Sequence, residues 1–118
     1  MLHYESKKET DAVKEAKIYK TMRETGIKPQ VIEEIQRTAL KNQVEKVILF
    51  GSRARGDFKR TSDIDLAVSG GNFAGFALDV NEETSTLLKF DLVDLEREMQ
   101  EELRKAIFRE GRVIYEKV

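Results

Sequence analysis

Val47-Ile48-Leu49-Phe50-Gly51-Ser52, followed ten residues later by Asp63-Ile64-Asp65, is the stretch that decides the fold. Val44–Phe50 is a short apolar run rich in β-branched residues, bounded by Gly51-Ser52, and so reads as a strand. Ser62–Ser69 reads as a second strand. Its side chains alternate, with Asp63, Asp65 and Ala67 on one face and Ile64, Leu66 and Val68 on the other. The polar, basic link Arg53–Thr61 has room for a turn and one helical turn, but not for a full helical crossover. Strands one and two are therefore expected to be antiparallel neighbours.

Working outward, residues from about Lys7 to Thr25 carry Ala12, Val13, Ala16, Tyr19 and Met22 at helical spacing, and Gly26 is a natural stop. Pro29 suits the first turn of a second helix. Its buried face would be Val31, Ile32, Ile35, Ala39 and Leu40. Beyond the second strand, Gly70-Gly71 makes a turn and Phe73–Leu88 is a mixed stretch read as a weak helix. Lys89–Leu95 reads as a third strand. A long helix should follow, with Leu95, Met99, Leu103, Ala106 and Ile107 at helical spacing and Gly111 as its stop. Arg112–Tyr115 is left as a last short strand. The sum is an α+β fold: a small mixed sheet of about four strands with helices packed on one face. Residues 1–118 are expected to form a single domain, with N-terminal helices over 1–42 and a core over 43–118.

The composition narrows the function classes. The 118 residues are 40% hydrophobic and 36% charged, with a net charge of −1. Nucleic-acid binding by bulk electrostatics needs a basic excess, so it is not expected. There is no cysteine, which excludes disulfides, thiolate catalysis and cysteine zinc sites. No stretch resembles a signal peptide or a membrane span, so the cytoplasm is the expected compartment and no membrane partner is expected. His3 is alone near a terminus and carries no site.

The chemistry lies in two features that are ordinary separately. Asp63 and Asp65, two residues apart on a strand, share a face. Unpaired they repel, and burial would raise at least one pKa. A divalent cation removes that cost, and Mg²⁺ favours a few carboxylates completed by water and substrate phosphate. Gly51 allows a sharp turn and close approach of a phosphate to the main chain. If Ser52 opens a helical turn, its free N–H groups form an anion site. Together, anion donors and metal ligands meet at one end of one sheet, which is what a nucleoside triphosphate with Mg²⁺ needs. Among the basic residues of the link, Arg53, Arg55, Lys59 and Arg60, the expected triphosphate ligands are Arg53 and Arg60. Phe73 and Phe76 read as core, with a nucleotide pocket as the other use.

Gly51-Ser52-Arg53-Ala54-Arg55-Gly56 with Ser62-Asp63-Ile64-Asp65-Leu66 resembles the signature of the nucleotidyltransferase superfamily, Gly-Ser then Asp-x-Asp. The short length and the sequence context resemble the minimal nucleotidyltransferases, the antitoxins of HEPN/MNT toxin–antitoxin pairs. The resemblance covers roughly Val44 to Tyr115 and implies a polymerase beta palm-like fold. It also implies a third carboxylate on a neighbouring strand, for which Asp91 fits better than Asp94. Asp94 is read instead as the N-cap of the long helix.

The mechanism so implied is two-metal phosphoryl transfer with Asp63, Asp65 and Asp91 holding two Mg²⁺ ions, and Gly51 and Ser52 on the β/γ-phosphates. ATP as substrate and a tyrosine of a HEPN-type toxin as acceptor come from the resemblance alone. The alternatives are an antitoxin acting by occlusion without catalysis, and a small-molecule nucleotidyltransferase. A homo-oligomer is left open.

Overall fold

The computed structural model describes residues 24–118. His3 and nearly all of the helix expected over Lys7–Thr25 lie outside them. Glu24 and Thr25 are helical and are followed by Gly26 at φ +71. Helix α1 is Pro29–Lys41, with Pro29 in its first turn as its fixed φ favours. It buries Val31, Ile32, Ile35, Thr38 and Ala39. Leu40, expected in that set, is 64% exposed. Thr38 takes the inner place because its hydroxyl donates to the Glu34 carbonyl at 2.7 Å, so the buried oxygen is satisfied within the helix.

The remaining elements are β1 (Lys46–Phe50), the single turn α2 (Ser52–Arg55), β2 (Ile64–Ser69), α3 (Phe73–Glu83), β3 (Phe90–Asp94), α4 (Glu101–Glu110) and β4 (Arg112–Glu116). The sheet order is β3-β2-β1-β4. β1 lies antiparallel to β2, as the short link requires, and antiparallel to β4. β2 and β3 are parallel, joined by the crossover helix α3. The sheet is therefore mixed.

Helices cover both faces, which corrects the one-face expectation. One face carries Val47, Leu49, Ile64, Leu66, Val68 and Phe90 against Ile32 and Ile35 of α1 and Phe76 and Val80 of α3. Phe76 is thus core, and Phe73 packs beside it. The opposite face carries Ile48 and Ala67, with Ile107 of α4 packed on them and Phe50, Val93, Leu95, Met99 and Leu103 around. Asp63 and Asp65 made that face look polar in the sequence. Its far half is apolar, and the amphipathic α4 needs a surface to bury Leu103 and Ile107.

α4 starts six residues later than the apolar period suggests. Leu95 and Met99 reach the core from the turn after β3, so their four-residue spacing imitates a helix they do not belong to. Asp94 accordingly caps that turn, its carboxylate accepting from the Glu96 N–H at 2.9 Å, rather than the helix. Arg104 donates to the carbonyls of Leu95 and Arg97, each at 3.4 Å. The helix begins instead with Glu101 and Glu102 in its first turn, where the helix dipole favours acids.

Candidate active site

The site is built where β1 ends and β2 and β3 begin. Asp65 stands opposite Phe50 of β1 and opposite Asp91 of β3. Residues paired across adjacent strands share a face at a spacing of about 4.8 Å. Asp63, two residues before Asp65, falls on that face as well. The three carboxylates therefore share the face whose other half α4 covers. Ile64 and Leu66 anchor β2 from behind and are fully buried.

Their electrostatics follow from that placement. Partial burial, then the Asp91 charge, then the Asp63 charge push the Asp65 carboxyl up from 3.8 to about 6, while Arg55 and Arg53 pull it back. No three His, Cys, Asp or Glu side chains among the described residues already converge as a metal cage. A raised, mutually repelling acid group with only partial cationic compensation is the donor set a divalent cation would stabilise.

The sign of the pH dependence is fixed by the raised value. Native Asp65 binds its proton at higher pH than the unfolded chain does. The stability it contributes is present below about 4 and lost as pH rises through about 6. The metal-free protein is expected to gain stability from this group as pH falls from 7 toward 5. If Asp65 is a Mg²⁺ ligand, any stabilisation by MgCl₂ should shrink over the same window, because the proton competes for the ligand. Urea titrations with EDTA or with MgCl₂ at pH 5 and 7.5 check both directions.

Gly51 joins β1 to α2 at φ 75 and ψ −158. This backbone region is essentially reserved for glycine. A Cβ there would run into the Asp65 carboxylate, so the turn and the acid pack directly together. The N–H groups of Ser52 and Arg53 open α2 ahead of its first intrahelical acceptor. Gly56, left-handed, closes the turn with its N–H on the Ser52 carbonyl at 2.9 Å.

The basic residues sort differently from the sequence expectation. Arg53, expected at the triphosphate, is 1% exposed, and its guanidinium donates to main-chain carbonyls instead. It is not available to a phosphate. Burial lowers its pKa, and the charges of Asp63 and Asp65 oppose that shift. Arg60 is exposed. The exposed guanidinium whose charge reaches Asp65 is that of Arg55, which also pairs with Asp57 at 3.2 Å and Glu110 at 3.5 Å. Four basic residues in one link look alike in sequence. Within α2, Arg53 turns inward and Arg55 outward, while Lys59 and Arg60 lie beyond it on the exposed loop.

A family model described as Polymerase beta, Nucleotidyltransferase matches residues 33–118 of this chain. The chain belongs to the polymerase beta nucleotidyltransferase family. It is a nucleotidyltransferase by that membership, and the four-stranded mixed sheet is the family's fold. A relative from Methanocaldococcus jannaschii, named "Putative protein adenylyltransferase MJ0604", is 34% identical over 84 residues, covering 64% of this chain and 82% of the relative. A second protein of that organism, named "Putative protein adenylyltransferase MJ0141", is 43% identical over 42 residues, which is 33% of this chain and 42% of that one. Among solved structures, one described as "the toxin-antitoxin with AMP-PNP" superposes with a TM-score of 0.56 at 24% identity, over 73% of each chain. Another, described as "a putative nucleotidyltransferase from Sulfolobus solfataricus", superposes with a TM-score of 0.51 at 22% identity, over 85% of this chain and 86% of that one. At those identities the two nucleotidyltransferase-fold neighbours speak to the fold.

Proposed function

We propose that this chain is a Mg²⁺-dependent protein adenylyltransferase that moves AMP from ATP onto a tyrosine hydroxyl of a HEPN-type toxin, and so acts as an antitoxin. The observation that carries the catalytic part is the pairing of Asp65 with Asp91 beside the Gly51–Ser52 turn. It puts three acids and an anion-binding turn on one end of one sheet. The name of the Methanocaldococcus relative supports a protein acceptor. The toxin–antitoxin neighbour crystallised with AMP-PNP supports the partner class and the nucleotide. The tyrosine and the HEPN class rest on the family resemblance.

In this reading Gly51 and Ser52 bind the β/γ-phosphates through main-chain N–H groups and the hydroxyl. Arg55 offers the positive charge for the triphosphate, and Arg60 stands near enough in sequence to add a second. Asp63 and Asp65 would hold the cation that accompanies the triphosphate, and Asp91 would complete a second position. Bound there, two Mg²⁺ ions would supply charge neutralisation at the attacking and leaving oxygens. Asp91 would also help to activate the acceptor hydroxyl and take its proton. The tyrosine oxygen then bonds to the α-phosphorus, the α–β phosphoanhydride bond breaks, and pyrophosphate leaves.

The test uses α-labelled ATP, MgCl₂ and the candidate toxin. Label is expected on the toxin with the wild type, and neither label nor neutralisation with the Asp63→Asn/Asp65→Asn double variant. Neutralisation that survives in the double variant would replace catalysis by occlusion.

A further inference from the structure

Arg53 is the largest fully buried side chain among the described residues, and it sits within the turn that carries Gly51 and Ser52. Its Nε donates to the Ser62 carbonyl at 2.9 Å, and its Nη2 to those of Arg60 at 3.1 Å and Lys59 at 3.4 Å. Nη1 donates to the Thr25 carbonyl at 2.8 Å. The guanidinium also lies over the Phe58 ring, 5.0 Å from its centroid. The Ser62 carbonyl belongs to the peptide bond whose nitrogen is that of Asp63. One rigid planar group therefore spans from the phosphate turn to the peptide that delivers the first acid.

We propose that Arg53 is a positioning residue that sets where Asp63 stands against the Gly51–Ser52 turn, and that through Thr25 it ties this setting to the segment entering α1. The inference rests on reading Asp63, Asp65 and Asp91 as cation ligands. Burying a cation is costly unless its donors are satisfied, and here the main chain of two segments, at Thr25 and over Lys59–Ser62, satisfies them. A loop needing only to be closed would not require such a group. A second tie runs alongside: Arg112 Nε donates to the Ala54 carbonyl at 3.0 Å, and its guanidinium pairs with Glu24. Turn α2 is thus held from residues 24 and 25 by two arginines.

Two variants loosen the tie without touching an acid. Arg53→Lys keeps the charge but concentrates the donors at one point, which cannot span the separated carbonyls. Gly26→Ala acts from outside: Gly26 is exposed at φ +71, and a Cβ there would press on Arg53 Nη1 and on the Phe58 ring. The variant adds left-handed backbone strain at residue 26, and the Arg53 and Phe58 side-chain ends must shift to admit the methyl, which displaces the guanidinium. Val80→Ala is the control, a fully buried position on the opposite face of the sheet, which costs stability without approaching the acids.

The probe is Mn²⁺, titrated by electron paramagnetic resonance into each full-length protein whose circular dichroism is native. Affinity is expected to fall about tenfold in Arg53→Lys and Gly26→Ala, the scale of losing support behind a metal ligand, and to hold within about twofold in Val80→Ala. If Arg53→Lys does not fold, Gly26→Ala decides. Unchanged affinity in the folded variants overturns the positioning role. An equal loss in Val80→Ala overturns it too, because the effect would then follow general stability. A wild type that binds no Mn²⁺ overturns the acid-cluster reading itself, which separates that failure from this one.

Discussion

Asp65→Asn is expected to abolish AMP transfer while making the metal-free protein more stable. The two effects have one cause. At pH 7 the Asp65 carboxylate is half-buried between Asp63 and Asp91, and both push its proton affinity up. The fold therefore holds a charge it would be better without. Asparagine is nearly isosteric and neutral, so the repulsion goes. The full shift would correspond to about 3 kcal/mol, and solvent screening of a half-exposed group reduces the gain to about 1 kcal/mol. Transfer should fall by on the order of 10³-fold or more, beyond the ~10–100-fold that follows loss of a residue behind a metal ligand. The Mg²⁺-induced rise in melting temperature should vanish. Urea unfolding with EDTA, melting curves with MgCl₂ and label transfer from ATP check the three parts. Loss of both stability and transfer would mean that Asp65 is a structural acid.

Gly51→Ala should damage both fold and site. The backbone at φ 75 and ψ −158 costs a non-glycine residue about 1–3 kcal/mol. The added methyl also meets the Asp65 carboxylate, so either the turn or the acid must move. We expect a loss of about 3 kcal/mol in urea unfolding, at the top of that strain range. In the fraction that remains folded, transfer should fall about 10²-fold, since a displacement of about 1 Å in a positioned group costs that much. Gly56→Ala is the useful contrast. Its φ is 93, but a Cβ there meets nothing within 4 Å. Its ψ of 3 is left-handed helical, so alanine there should carry a smaller backbone strain and no collision. A Gly56→Ala protein as inactive as Gly51→Ala would mean that strain alone, not contact with Asp65, carries the effect.

The parts of this architecture that could be read from the chain are those where a local pattern has one spatial meaning. Alternation in Asp63–Val68 can only put the acids and the Ile64–Leu66–Val68 row on opposite faces, and the short link to β1 can only give antiparallel neighbours. The need for a third acid comes from the family resemblance, and the strand pattern only favours Asp91, inside the apolar run, over Asp94 at its end. The parts that could not be read are those where one pattern has two meanings. Leu95 and Met99 keep a helical spacing whether they are in a helix or in a turn that happens to reach the same core. Ala67 belongs to a face that begins acidic and ends apolar, so α4 found a covering role there that residue type did not announce. Arg53 and Arg55 differ only in which side of a one-turn helix they leave from, and that is decided by carbonyls from residues 25 and 59–62.

The parallel pairing of β2 with β3 has a consequence for how the protein acquires its affinity. Asp65 and Asp91 are brought level only when the β2–α3–β3 crossover has closed. In the unfolded chain the two are separated by the 25 residues between them, and bringing them together carries a loop-closure cost. A ligand that needs both acids therefore recognises the native state and ignores the denatured one. By mass action it then acts as a folding reagent as well as a reactant, worth about 2.7 kcal/mol at a hundred times its dissociation constant. The substrate complex and the stability of the scaffold are in this way one equilibrium. With that ligand scarce, the protein would be less able to act and would also spend more time unfolded.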